Sequence, residues 1–178
     1  MTIPNILSIF RIILIPIFTY EFLAESDYTL AGIILIVSGL TDCLDGYIAR
    51  RFNMITNLGK VLDPVADKLT QVMSALCLAL KDFDIMWFVL AFLVIKDIAL
   101  LIGGITIYKK KDLVVSSNWY GKVATIVFYV AVILVALLYP DISDLFKNIV
   151  GGLLILAGAM AFGGYISYFF SIKSKKIR

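Results

Sequence analysis

Residues 42–67 read DCLDGYIARRFNMITNLGKVLDPVAD, setting Asp42, Asp45, Asp63 and Asp67 into a chain that is otherwise strongly apolar. Asp42 and Asp45 are three residues apart and Asp63 and Asp67 four apart; on a helix, each pair shares one face. Between the pairs, Asn53, Thr56, Asn57 and Gly59 form a polar stretch suited to a turn, so two antiparallel helices are expected to bring the four carboxylates together. Left alone, these groups would repel one another, and loss of water would penalise their charge. Divalent cations would remove that penalty. A donor set made only of oxygen suits hard ions such as Mg²⁺ or Mn²⁺.

The surroundings of this stretch decide the fold class. Of the 178 residues, 61% are hydrophobic and only 16% charged, and mean hydropathy is +0.98, which marks an integral membrane protein. Apolar segments fall at residues 5–23, 30–40, 69–80, 85–108, 119–139 and 145–171. The second and third are short of the roughly 20 residues a span requires, so their helices must take in residues 41–51 and 59–68. The expected architecture is one all-α membrane domain over residues 1–178, with six transmembrane helices and the aspartates at adjoining ends of the second and third.

Loop charges set the orientation, because Lys and Arg are retained on the cytoplasmic side. Glu21, Glu25 and Asp27 follow the first helix, whereas Arg50, Arg51, Lys60 and Lys68 cluster about the second connection. The signs then alternate: Lys81, Asp82 and Asp84, then Lys109, Lys110 and Lys111, then Asp141 and Asp144, then the basic tail Lys173, Lys175, Lys176 and Arg178. Both termini and the aspartates are therefore expected to face the cytoplasm, in a cell membrane of the bacterial inner-membrane type. The first helix lacks a small-residue cleavage pattern and is expected to be retained.

With no histidine and two cysteines, a Cys/His zinc site and a histidine-based triad are ruled out. Cys43 and Cys77 read as small apolar residues in reduced surroundings. Mg²⁺ takes a few carboxylates and completes its shell with water and substrate phosphate, so four aspartates holding two ions imply a phosphate-containing substrate. Gly46 and Gly59 would let a bulky ligand approach the backbone, and Arg50 could offer a bidentate fork to a diphosphate. Ion or proton transport is the rival reading. It requires acidic groups along a path, and helices four to six offer only Asp97 within an apolar span.

Written as a pattern, the stretch is Asp42-x2-Asp45-Gly46-x2-Ala49-Arg50-x8-Gly59-x3-Asp63-x3-Asp67. It resembles, at each specified position, the signature of the CDP-alcohol phosphotransferase family, and six helices with inward termini agree. The resemblance implies transfer of a substituted phosphate from a CDP-linked donor to an acceptor hydroxyl, with release of CMP. It also implies two divalent cations, Mg²⁺ or Mn²⁺, held by Asp42, Asp45, Asp63 and Asp67, with Asp67 also deprotonating the acceptor. Gly46, Ala49 and Gly59 match positions that let the nucleotide lie against the helices, and Arg50 matches a polar contact to it.

The opening TIPNILSIFRIILIPIF, residues 2–18, resembles the branches of the family that make phosphatidylglycerophosphate and cardiolipin. Both take CDP-diacylglycerol as donor. Glycerol 3-phosphate is the expected acceptor, with phosphatidylglycerol the alternative. Asn5 is expected either to contact the nucleotide or to serve the helix start beside Pro4. Lys96-Asp97 and Lys122-Val123-Ala124-Thr125 look like stretches that contact the acceptor phosphate, with Ala124 in place of a second lysine; Lys96 and Lys122 are the expected acceptor contacts. The resemblance further implies a homodimer among membrane lipids, and no nucleic acid is expected as a partner. Gly151, Gly152, Gly158, Gly163 and Gly164 in the last helix suit close helix contact, first of all within the bundle.

Overall fold

Thr2 stands in an extended conformation ahead of Pro4, which sits in the opening turn of α1 (Ile3–Tyr20), where its fixed φ favours the helix and its missing N–H costs no bond. The computed structural model describes residues 2–52, 54, 56–81, 84–108, 119–139 and 141–175, and all regular structure among them is helical. After α1, a π-helical turn at Glu21–Glu25 closes on Ser26, which takes the left-handed conformation with φ 57°. Asp27 then caps α2 (Tyr28–Arg51), its carboxylate accepting from the Leu30 N–H at 2.9 Å. There follow α3 (Gly59–Leu80), α4 (Ile85–Tyr108), α5 (Trp119–Leu138) and α6 (Asp144–Lys175).

As the short apolar runs required, α2 continues through the first aspartate pair and α3 starts at Gly59, ahead of the second. Asn53, Asp82, Lys109, Lys110, Lys111, Lys176 and Arg178, used above as turn or topology signals, lie outside the described residues.

The helices close a ring. α1 packs on α2 and α3, α2 on α5, α5 on α6, α6 on α4, and α4 back on α3. Small residues permit some of these approaches. A Cβ at Gly151 would run into Ile85 and one at Gly158 into Phe92, so these two glycines seat α6 on α4. Around Gly152 and Gly163, no described atom from beyond the local helix lies within 4 Å.

Polarity runs inside-out. Asn5, Ser8, Arg11, Ser38, Thr41, Asp45, Thr70, Gln71 and Ser74 are buried, alongside Phe22, Leu35, Leu78, Met86, Val132 and Val135. Phe88 is 70% exposed, and Ile13, Ile95, Ile126 and Leu153 also face outward. In water this outer surface would be costly; hydrocarbon removes the cost. Ser8 and Thr70 satisfy their hydroxyls locally, each donating to the carbonyl four residues earlier, at 3.1 and 2.9 Å, whereas the buried Ser38 hydroxyl has no hydrogen-bond partner among the described residues. Among the described residues, the segments Ile3–Glu25 and Tyr28–Ala49 are long and apolar enough to cross a membrane by length and composition.

An aromatic group closes the bundle away from the aspartates. Tyr28 meets Phe22 and Tyr139 edge-on, with centroids 5.2 and 4.5 Å apart. The Tyr139 hydroxyl donates to the Lys81 carbonyl at 2.9 Å, tying the end of α5 to the end of α3.

Candidate active site

The last turns of α2 and the first turns of α3 present the carboxylates to one another. Ligand oxygens of Asp42, Asp45 and Asp63 all lie within 4.8 Å of one another. The Asp45 side chain is 4% exposed, against 38% for Asp42 and 47% for Asp63; Asp45 therefore forms the floor, and the other two form the open rim. Three carboxylates at this separation, without sulfur or imidazole, fit one or more hard divalent cations.

A fourth side chain is already there. Arg11, fully buried on α1, extends its guanidinium into the cluster, Nη1 donating to Asp42 and Nη2 to both Asp45 and Asp63. The Nη2–Asp63 separation is 3.0 Å. Arg11 is not among the basic residues expected from the sequence to serve the site, which were Arg50, Lys96 and Lys122. Its signal was plain, a lone arginine in the apolar run IPNILSIFRIILIPIFTY, because an ionisable residue within a span calls for a partner.

Asp67 does not join the trio. Four residues beyond Asp63, it lies ~6 Å further along the helix axis, and its carboxylate turns towards α5. There it accepts from the Tyr129 hydroxyl at 3.0 Å, with longer contacts of 3.4 Å from Gln71 Nε2. Tyr129 is a second residue the sequence did not flag.

Beside the trio a cleft of about 140 Å³ is lined by Pro4, Asn5, Ser8, Asp45, Gly46, Ala49, Met54, Thr56, Gly59 and Asp63. Four of the five expected nucleotide-contact residues, Asn5, Gly46, Ala49 and Gly59, thus share one wall system with two of the aspartates. The side chain of Arg50 lies outside the described residues. Asn5 caps nothing. Its Oδ1 accepts from the Thr56 hydroxyl at 3.0 Å, and Thr56 Oγ1 in turn accepts from the Gly59 N–H at 2.9 Å. A Cβ on Gly59 would lie 2.7 Å from Asn5 Oδ1, so this glycine is needed for α1 to approach α3.

Lys96 sits 3.2 Å from Asp97 Oδ1, and Lys68 approaches the same oxygen at 3.1 Å. That oxygen has ion-pair distances but no aligned hydrogen bond, so charge rather than geometry joins the three. Lys68 follows Asp67 directly in the sequence. The Lys122 side chain lies outside the described residues.

Three carboxylates that could hold a metal ion thus stand where α2 meets α3, beside a small cleft at one end of the bundle. A family model described as CDP-alcohol phosphatidyltransferase matches residues 1–163, and the chain belongs to that family. It is 35% identical over 139 residues to a CDP-diacylglycerol–glycerol-3-phosphate 3-phosphatidyltransferase of Aquifex aeolicus, covering 78% of this chain and 77% of that one. A protein of the same name from Sodalis glossinidius is 33% identical over 181 residues, 97% of this chain and 96% of the relative. A Mycobacterium tuberculosis protein named provisionally as a cardiolipin synthase is 37% identical over 131 residues, covering 73% of this chain and 62% of its own length.

Proposed function

We propose that the protein is a single-domain, six-span membrane enzyme that moves the phosphatidyl group of CDP-diacylglycerol to glycerol 3-phosphate, giving phosphatidylglycerophosphate and CMP. The convergence of Asp42, Asp45 and Asp63 beside a cleft holding Asn5, Gly46, Ala49 and Gly59 carries the reading. Near-complete coverage of a relative named for this reaction supports it. The alternating loop charges support a cytoplasmic side for both termini and the site, where the diacyl chains stay in the bilayer while the headgroup reaches the aspartates. The family resemblance further supports a homodimer.

Two divalent cations, Mg²⁺ or Mn²⁺, held by Asp42, Asp45 and Asp63 and completed from the Asp67 side, would neutralise the diphosphate and the charge left on CMP. The protein's own part is orientation. The cleft walls lay the nucleotide against α2 and α3, and the missing side chains at Gly46 and Gly59 keep that approach open. Asp67, held by Tyr129, receives the acceptor hydroxyl proton. The acceptor oxygen forms a bond to the phosphorus bearing diacylglycerol as the bond from that phosphorus to the CMP oxygen breaks, and the electron pair leaves with CMP. Direct displacement needs no covalent enzyme intermediate. Lys68 and Lys96 supply positive charge for the acceptor phosphate.

Phosphatidylglycerol as acceptor is the second reading. Ala124 in the Lys122-Val123-Ala124-Thr125 stretch favours it, because a phosphodiester acceptor carries less charge than a phosphomonoester and requires fewer cations. Purified protein with CDP-diacylglycerol and Mg²⁺, given each acceptor in turn, tests the choice by the identity of the lipid product. Phosphatidylglycerophosphate formed with glycerol 3-phosphate supports the first reading; cardiolipin formed only with phosphatidylglycerol replaces it with the second.

A further inference from the structure

We propose that Arg11 is a resident counter-cation, holding Asp42, Asp45 and Asp63 together in the metal-free protein and competing with divalent cations for their oxygens. The inference rests on the reading of these aspartates as the metal site.

Arg11 is the only charged residue of α1, IPNILSIFRIILIPIFTY, and its side chain is 0% exposed. Nothing on its own helix balances it, so its charge is answered wholly from α2 and α3. Its hydrogen bonds run from Nη1 and Nη2 to the three carboxylates, while Nε is buried with no hydrogen-bond partner. Here the aspartates alone orient the fork.

The consequence is a shared set of carboxylates. The guanidinium cancels one of three clustered negative charges, which keeps α1, α2 and α3 in register when no metal is present. A divalent cation bound at ~2.1 Å from the same carboxylates brings two further positive charges against a buried guanidinium. Metal and fork draw on the same three carboxylates, and the charge-assisted bonds that the fork gives up on metal binding are lost from the net affinity. The cluster is therefore preassembled but tuned to weaker metal binding than three bare carboxylates would give. Exchange of cation between turnovers would be easier for the same reason.

Mn²⁺ binding to the purified full-length protein in detergent, read as free Mn²⁺ by electron paramagnetic resonance and paired with melting in EDTA, tests this without using turnover. R11Q removes the charge and keeps hydrogen-bonding capacity. It is expected to bind Mn²⁺ about tenfold tighter than wild type, to melt lower in EDTA, and to gain more from saturating Mn²⁺. R11K keeps a point charge without the fork; it is expected to fall between the two, and it decides the matter should R11Q not fold. Wild-type or weaker Mn²⁺ affinity in these variants overturns the proposal. D45N, titrated in parallel, separates that failure from a failure of the site itself. Loss of Mn²⁺ binding there keeps the metal site, whereas wild-type binding removes the site and the proposal with it.

Discussion

Replacing Tyr129 by Phe removes one hydroxyl and leaves the ring. The lost group donates to Asp67 Oδ1 at 3.0 Å, and the remaining contacts to that carboxylate, from Gln71 Nε2, are 3.4 Å long. A separation of 3.4 Å lies beyond the usual N–H···O range, so Tyr129 fixes the rotamer of Asp67 almost alone. A hydrogen bond to a charged group contributes ~1.5–3 kcal/mol. If the whole of that orients Asp67 in the transition state, each ~1.4 kcal/mol is a factor of about ten in rate, and kcat should fall roughly tenfold to a hundredfold. The KM for CDP-diacylglycerol should hardly move, because Tyr129 is not among the residues lining the nucleotide cleft. Folding should lose up to the same ~1.5–3 kcal/mol, or about 3–12 °C in Tm at roughly 2–4 °C per kcal/mol for a chain of this size. Steady-state CMP release with both substrates saturating, together with a thermal melt, measures both quantities. A kcat equal to wild type would refute the positioning role and leave the contact structural.

Further outcomes follow from the same geometry. Asp67→Asn keeps the shape and can accept from Tyr129 but cannot take the acceptor proton; turnover should disappear while the melt stays within ~1 kcal/mol of wild type, and full activity would end its role as base. Lys96→Met removes one of two cations on Asp97 and should raise the KM for glycerol 3-phosphate about tenfold while leaving that for CDP-diacylglycerol unchanged; equal changes in both would disconnect it from the acceptor. Gly158→Ala drives a methyl group into the Phe92 ring and should cost ~1–3 kcal/mol by overpacking. Gly152→Ala meets no described atom within 4 Å and should be neutral or gain up to ~1 kcal/mol from helix propensity. The reverse order in thermal melts would contradict the packing of α6 on α4.

Most of the helical organisation was legible because membrane hydropathy is a local property. The apolar runs gave the helices to within a turn, and the shortness of the second and third forced the aspartates onto α2 and α3, where they stand. Three-residue spacing correctly joined Asp42 to Asp45, and the polar turn brought Asp63 to them. Four-residue spacing said less. Asp63 and Asp67 share a face, yet one turn of axial rise was enough to hand Asp67 to Tyr129 on α5. Arg11 shows the other limit. Its charge was visible in the sequence, but its partners are 31, 34 and 52 residues away, and no local pattern encodes which helix face meets which. Gly59 belongs to both cases: expected to admit a ligand, it also admits Asn5, because the cleft wall and the α1–α3 contact share the same backbone.

CMP release from CDP-diacylglycerol and glycerol 3-phosphate, followed under strict control of divalent metal in wild type and Asp63→Asn, tests the central claim most directly. The account predicts no release in EDTA, recovery on addition of Mg²⁺ or Mn²⁺ to the wild type, and no recovery in the variant. Release at the full rate in EDTA, or undiminished release by Asp63→Asn, would contradict it.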